Sequence, residues 1–153
     1  MSFVLLMFLV RNRAFSWMRA FFIAFPFLLL LPAILEVHAS CKSTLTGTDH
    51  VCTLFTNQEA KCWGLNDKGQ LGYGDTINRG DEPNEMGDYL PFVSVEGIIS
   101  ASGGGSHSCS VLTDFTAKCW GDGTNGKLGQ ASTAHIGDQA GEMGDYLPVV
   151  DLG

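Results

Sequence analysis

The chain has 153 residues, of which 45% are hydrophobic, and a formal net charge of −7 at pH 7. This length allows one modest domain. Beyond residue 39, six basic residues stand against fifteen acidic ones, so this part alone carries a net charge of −9. Such a surface repels phosphate groups, which argues against nucleic-acid binding and favours a basic protein partner or a freely soluble surface.

Residues 1–39 have the layout of a signal peptide. The uncharged apolar run of residues 20–35 follows three arginines and precedes the small residue Ala39, as export signals require. We expect cleavage after Ala39, a mature chain that begins at Ser40, and a secreted or extracytoplasmic location. A retained membrane anchor is the alternative, because residues 1–10 are also apolar and a spanning helix needs about 20 apolar residues. In either case, membrane contact is expected only through residues 1–39.

The rest of the chain is an internal repeat with a period of 57 residues. The segment Glu85–Pro91 returns unchanged as Glu142–Pro148, and 22 of 44 positions are identical between residues 50–93 and residues 107–150. Each copy is therefore one supersecondary unit. We place the two units at residues 40–97 and 98–153.

Each unit is predicted to be built from short strands. Runs that favour β-structure lie at residues 51–55, 92–95, 108–112 and 149–150. The strand Ala-Lys-Cys-Trp-Gly follows a turn near residues 57–58, and its repeat follows a turn near residues 114–115. Neither unit shows a convincing 3.6-residue apolar period, so the sequence predicts an all-β fold.

The string His-x-Cys-x-Leu/Val-Leu/Phe…Cys-Trp-Gly-x-Asn-x-x-Gly-Gln-Leu-Gly-x-Gly resembles the repeat of the RCC1 family, the regulator of chromosome condensation type. Residues 50–74 carry it nearly whole, and residues 107–129 carry a looser version with Gly123 at the position of Asn66. The resemblance covers roughly residues 43–153. It implies two blades of a β-propeller after the N-terminal hydrophobic segment, each blade a four-stranded sheet in a ring of typically about seven.

Two blades do not close a ring, and repeat proteins usually need about three units to bury their core. We therefore expect a fragment of a larger propeller, completed by further blades or by self-association. Apolar residues on the outer faces of such a pair would be partly exposed: Leu54, Phe55, Trp63, Val111, Leu112 and Trp120.

Four cysteines form two pairs, each with nine intervening residues that span a predicted hairpin: Cys52 with Cys62, and Cys109 with Cys119. In an exported chain this spacing favours two disulfides of a secreted-type blade. A four-cysteine zinc site is the competing interpretation, but it usually uses Cys-x-x-Cys pairs, which the chain lacks. Cys41 has no counterpart in the second unit; it is a free thiol, an interchain partner or a lipoprotein cysteine.

Other residues recur at the repeat period and are predicted to form the blade core: His50, His107, Trp63, Trp120, Leu71 and Leu128. Each tryptophan would cover a disulfide or pack between adjacent blades. The two histidines favour a structural hydrogen bond, because no serine or acid partner stands at catalytic spacing. The sequence therefore predicts no catalytic residue, metal site or cofactor.

The loops of residues 74–88 and 131–145 are dense in carboxylates and are the candidate partner-binding surface. Their charged residues are Asp75, Arg79, Asp81, Glu85, Asp88, Asp138, Glu142 and Asp145. Calcium binding is an alternative for oxygen-rich loops, although this spacing matches no EF-hand. Arg79-Gly-Asp81 also spells an integrin-binding tripeptide, which the second unit does not repeat.

Together these features predict a non-catalytic, extracytoplasmic repeat module that binds or scaffolds an unidentified protein. The resemblance implies one alternative, a regulator that resembles a guanine-nucleotide exchange factor. A secreted enzyme inhibitor is the other alternative.

Overall fold

The computed structural model describes residues 39–153, in which six strands form two three-stranded antiparallel sheets. The first sheet contains β1 (Cys41–Thr46), β2 (His50–Phe55) and β3 (Ala60–Gly64). The second contains β4 (Ile98–Gly103), β5 (His107–Leu112) and β6 (Ala117–Gly121). We call the first sheet and its loops, residues 41–95, blade 1, and the second, residues 98–150, blade 2.

The described residues contain no α-helix, so the all-β prediction is confirmed for them. Single turns of 3-10 helix lie at Gly87–Tyr89, Thr124–Gly126 and Gly144–Tyr146. No helix within residues 39–153 is long and apolar enough to cross a membrane. The predicted signal peptide lies outside the described residues, apart from Ala39.

The hairpin turns lie at the positions that the sequence predicts. Gln58 in blade 1 and Phe115 in blade 2 adopt φ values of 70° and 66°. These left-handed residues reverse the chain, and the amide of Phe55 donates to the carbonyl of Glu59 at 2.9 Å. The two hairpins are thus built alike, as their sequence repetition predicts.

The expectation of four strands per blade is wrong for this chain, because each sheet has three. Residues 92–95 and 149–150 form no strand. They follow Pro91 and Pro148, which lack the amide that a ladder needs. What remains of a fourth strand is isolated: the amide of Val93 donates to the carbonyl of Ala60 and that of Val150 to the carbonyl of Ala117, both at 2.8 Å, and a single bridge joins Lys118 to Val149.

The two blades bury opposite faces of equivalent strands. In β2 the buried side chains are His50, Cys52 and Leu54, whereas in β5 they are Ser108, Ser110 and Leu112, one position out of phase. A strand's successive side chains point to opposite faces, so the blades meet across one shared interface. The expected exposure of Leu54, Leu112 and Trp120 is therefore wrong, since these three line the interface. Phe55 and Trp63 are half-buried, and Val111 is exposed.

Candidate interaction surfaces and the interface between the blades

The blade interface is organised by the main-chain oxygen of Gln70. This oxygen accepts a hydrogen bond from the indole nitrogen of Trp120 at 3.1 Å and another from the hydroxyl of Ser108 at 3.0 Å. Nε2 of His50 lies 3.0 Å from the same hydroxyl oxygen. Because the hydroxyl's one proton goes to Gln70, Nε2 of His50 carries a proton and donates it to Ser108. His50 and Trp120, predicted from the repeat, thus meet in one network.

Sequence reasoning missed Gln70 and Ser108, although both are buried. The second unit has Lys127 where the first has Gln70, and the first has Val51 where the second has Ser108. A search for identities between the repeats passes over such positions. The signal that could have indicated them is that both positions differ between the two repeats. A contact between neighbouring blades joins non-equivalent positions, so its residues need not be identical in the two copies.

Each repeat histidine is held in place by a glycine three residues earlier. A β-carbon on Gly47 would lie 2.1 Å from Cε1 of His50, and one on Gly104 would lie 2.0 Å from Cε1 of His107. In both turns the glycine amide donates to the histidine carbonyl at 2.8 Å. Burial lowers the pKa of His50, and the charge of His107 lowers it further while Asp49 opposes the shift. Both features fit a structural, neutral imidazole.

The cysteines pair as the spacing predicts. Cys52 is joined to Cys62 and Cys109 to Cys119, with Cα atoms 4.0 and 4.1 Å apart. Each pair stands directly opposite across a hairpin. The amide and carbonyl of Cys62 both bond to the hydroxyl of Tyr73, so they point away from β2 and leave a pair without ladder hydrogen bonds. Such pairs bring Cα atoms closest together. Cys41 is free and exposed.

Asn66 is a further buried residue that the sequence analysis left out of the site. Its side-chain oxygen accepts from the amide of Leu71, and its side-chain nitrogen donates to the carbonyl of Asp75 at 2.8 Å. This fixes the loop that presents Leu71, which is fully buried like its counterpart Leu128.

In blade 2, Gly123 replaces Asn66, and the loop is held instead by Asp122. The hydrogen bond from Lys127 lowers the pKa of Asp122 well below its usual range.

Several charged residues proposed for partner binding are engaged within their own loops. Asp75 pairs with Arg79 at 2.8 Å. A carboxylate oxygen of Glu85 accepts from the amides of Gly80 and Glu82, and Glu142 does the same for Gly137 and Gln139. The side-chain nitrogen of Asn78 donates to the carboxylate of Asp81 at 3.4 Å, and Asp138 is half-buried. The two repeated glutamates therefore shape the loops.

The repeated Asp-Tyr pair at the end of each loop faces solvent. Tyr89 is 72% exposed and Tyr146 is 78% exposed, and their neighbours Asp88 and Asp145 are also exposed. We call residues 87–89 and 144–146 the Asp-Tyr tips. The ammonium of Lys61 donates to the carbonyl of Gly87 at 2.8 Å, and Lys118 donates to Gly144 at 3.0 Å. Each tip is thereby fixed to the second hairpin strand of its blade.

A groove of about 460 Å³ lies between the blades beside the second tip. Its apolar lining includes Phe92, Val95 and Leu112, and its charged lining residues are Glu59, Glu96, Lys118 and Asp145. Three of these four charges are negative. Within residues 39–153, no group of three His, Cys, Asp or Glu residues is placed to hold a metal ion.

Two antiparallel sheets that repeat every 57 residues and stack face to face define a repeat protein built from β-propeller blades. The family model described as the regulator of chromosome condensation (RCC1) repeat matches residues 62–111. The chain therefore carries an RCC1-like repeat. A solved structure of Prp20p from Saccharomyces cerevisiae aligns with 76% of this chain and 27% of its own, at a TM-score of 0.55 and 15% identity. That likeness supports the fold alone.

Two curated proteins show sequence similarity to this chain. The protein RCC2 homolog of Danio rerio is 31% identical over 97 residues, which are 63% of this chain and 19% of that protein. The human E3 ubiquitin-protein ligase HERC2 is 27% identical over 84 residues, which are 55% of this chain and 2% of that protein. The chain thus spans about a fifth or less of these relatives' lengths.

Proposed function

We propose that this chain is a non-catalytic, extracytoplasmic propeller module that binds a protein partner through its Asp-Tyr tips. The observation that carries the proposal is the repeated exposure of Tyr89 and Tyr146 on anchored turns. Tyrosine is enriched where proteins make their strongest contacts, and a turn fixed in advance loses little freedom on binding. Leu90 and Leu147, both buried, anchor the two tips in the blades.

The charge around the tips indicates a basic partner. Asp88 and Asp145 stand beside the exposed rings, and three carboxylates line the neighbouring groove. The chain as a whole carries a net charge of −7. Complementary charge would speed encounter and select against acidic partners.

The relatives supply a precedent for protein binding without naming this chain's partner. Prp20p of Saccharomyces cerevisiae binds Gsp1p and histones. Nucleotide exchange and enzyme inhibition rest on the resemblance alone, and no contact described above favours either. The predicted export signal in residues 20–35 and the two disulfides support the proposed extracytoplasmic location.

The test uses the chain as bait for proteins of the exported fraction, with a matched surface control. Tyr89→Ala combined with Tyr146→Ala should reduce recovery of a bound protein at least tenfold. Phe115→Ala removes an equally exposed ring, 84% exposed, from a hairpin turn outside the tips and should leave recovery unchanged. Equal recovery by both variants, or recovery that survives loss of both tyrosines, would overturn the proposal.

A further inference from the structure

The outward face of blade 2 repeats the face of blade 1 that is already covered. In blade 1, residues His50, Cys52 and Leu54 of β2 lie buried against blade 2. Their equivalents in β5 are His107 and Cys109, which are half-buried, and Val111, which is 38% exposed. The chain therefore contains its own example of what covers such a face.

In that example, blade 1 forms hydrogen bonds with two side chains of blade 2, the blade that covers it. The covering blade offers Trp120 and Ser108, which both donate to the oxygen of Gln70, and Ser108 also accepts from His50. On the outward face of blade 2 the equivalent groups are the main-chain oxygen of Lys127 and the imidazole of His107. A blade that covers this face must bring an indole and a hydroxyl to reproduce the network.

A second copy of this chain brings only one of these two groups. Its blade 1 has Trp63 at the position of Trp120, but Val51 at the position of Ser108. Docking of a second copy would bury the imidazole N–H of His107 against a valine, and a buried donor without an acceptor is costly. The same substitution removes one of the two hydrogen bonds to the carbonyl of Lys127.

We propose that the outward face of blade 2 selects a further repeat of the same type that presents a hydroxyl at the position of Ser108, and that Val51 disfavours docking of a second copy. This inference rests on the proposed function only in treating the chain as a pair of propeller blades. It concerns the sheet face and not the Asp-Tyr tips, so the two can fail separately.

The experiment uses a variant of this chain, with an altered blade 1, as the probe for the outward face of blade 2. The double variant Val51→Ser with His107→Phe has a blade 1 that carries the hydroxyl and a blade 2 that lacks the imidazole needed to donate to it. Mixed with the unaltered chain, it should form a one-to-one complex by sedimentation, whereas the double variant alone should not self-associate through this face. Loss or gain of this complex leaves partner capture by the tips unaffected.

The matched control is Val51→Ala with His107→Phe, which removes the valine methyl groups without adding a hydroxyl. We expect about tenfold weaker binding of the unaltered chain to this control than to the serine probe, the factor to which about 1.4 kcal/mol corresponds. Equal binding of the two probes, or self-association of the unaltered chain as tight as the mixed complex, would overturn the proposal. Thermal unfolding of each variant, and His107→Leu as a second way to disable the imidazole, exclude a failure to fold.

Discussion

The indole nitrogen of Trp120 donates to the main-chain oxygen of Gln70 at 3.1 Å, and this contact joins the two blades. Trp120→Phe keeps an aromatic ring but removes the donor. We expect the free energy of unfolding to fall by about 1–3 kcal/mol, from one lost hydrogen bond and a smaller buried side chain. Urea denaturation measures this loss.

Trp63→Phe is the matched control, because Trp63 stands at the equivalent position on the outward face of blade 1 and is half-buried. Its indole nitrogen has no hydrogen-bond partner among the described residues. The control should lose clearly less stability than Trp120→Phe. Equal losses would show that the Gln70 contact adds nothing.

The disulfides should contribute unequally. Removing Cys52 and Cys62 together, each as alanine, should cost about 3 kcal/mol from chain entropy. It should also disturb the blade interface, since both residues are buried there. The same change at Cys109 and Cys119 should cost less, because Cys109 is half-buried on the outward face. Peptide mass spectrometry without reductant checks the pairing, and four free thiols would contradict it.

The sequence predicted the strands of the two hairpins, the hairpin turns and the cysteine pairs because each is a local property. The alternation of side chains along a strand, the left-handed residue of a turn and the pairing of cysteines across a hairpin all depend on residues within a single repeat. Which face of a strand is buried could not be predicted in this way, since Leu54 and Val111 are equivalent in sequence but have different neighbours. The roles of Gln70 and Ser108 could not be predicted for the same reason. Their role arises between repeats, where the two copies differ.

The packing of His50 against Gly47 predicts a specific steric effect. Gly47→Ala would place a β-carbon 2.1 Å from Cε1 of His50 and 2.6 Å from the carbonyl oxygen of Gly104. We expect a loss of about 1–3 kcal/mol, as in overpacked cores. Gly105→Ala is the matched control, because its β-carbon would meet only Oγ1 of Thr48 at 3.6 Å. Comparable melting temperatures for the two variants would contradict this account.

Processing at Ala39 is a prediction from the sequence, because the signal segment lies outside the described residues. Amino-terminal sequencing of the exported chain should begin at Ser40, whose amide bonds to the hydroxyl of Thr56 at 3.1 Å. A sequence that begins at Met1, or at Met18 as an alternative start just before the apolar run, would establish a retained anchor instead. A shift of the cut to another small residue would keep the export prediction and correct only its position.

The free energy of unfolding should fall on mild acidification because of His50. Its pKa is lowered in the folded chain by burial and by the charge of His107, against the opposing effect of Asp49. The unfolded chain therefore takes up this proton first, at a pKa near 6.5. Stability from the neutral imidazole is fully present above that pKa. This stability declines as the pH falls below the pKa of the unfolded chain. The decline stops once the pH is also below the pKa of His50 in the folded chain.

His50→Gln provides the control, since a glutamine amide can still donate to Ser108 but does not titrate. Nδ1 of His50 is buried and has no partner among the described residues, so a second proton there would have no acceptor. Urea denaturation between about pH 7.5 and 5 should show a steeper loss of stability for the unaltered chain than for the variant. His107, whose pKa is also lowered by burial, remains in both proteins and contributes to the slope of each. Identical slopes would place the acid sensitivity in other groups and contradict the assignment of His50 as a neutral donor to Ser108.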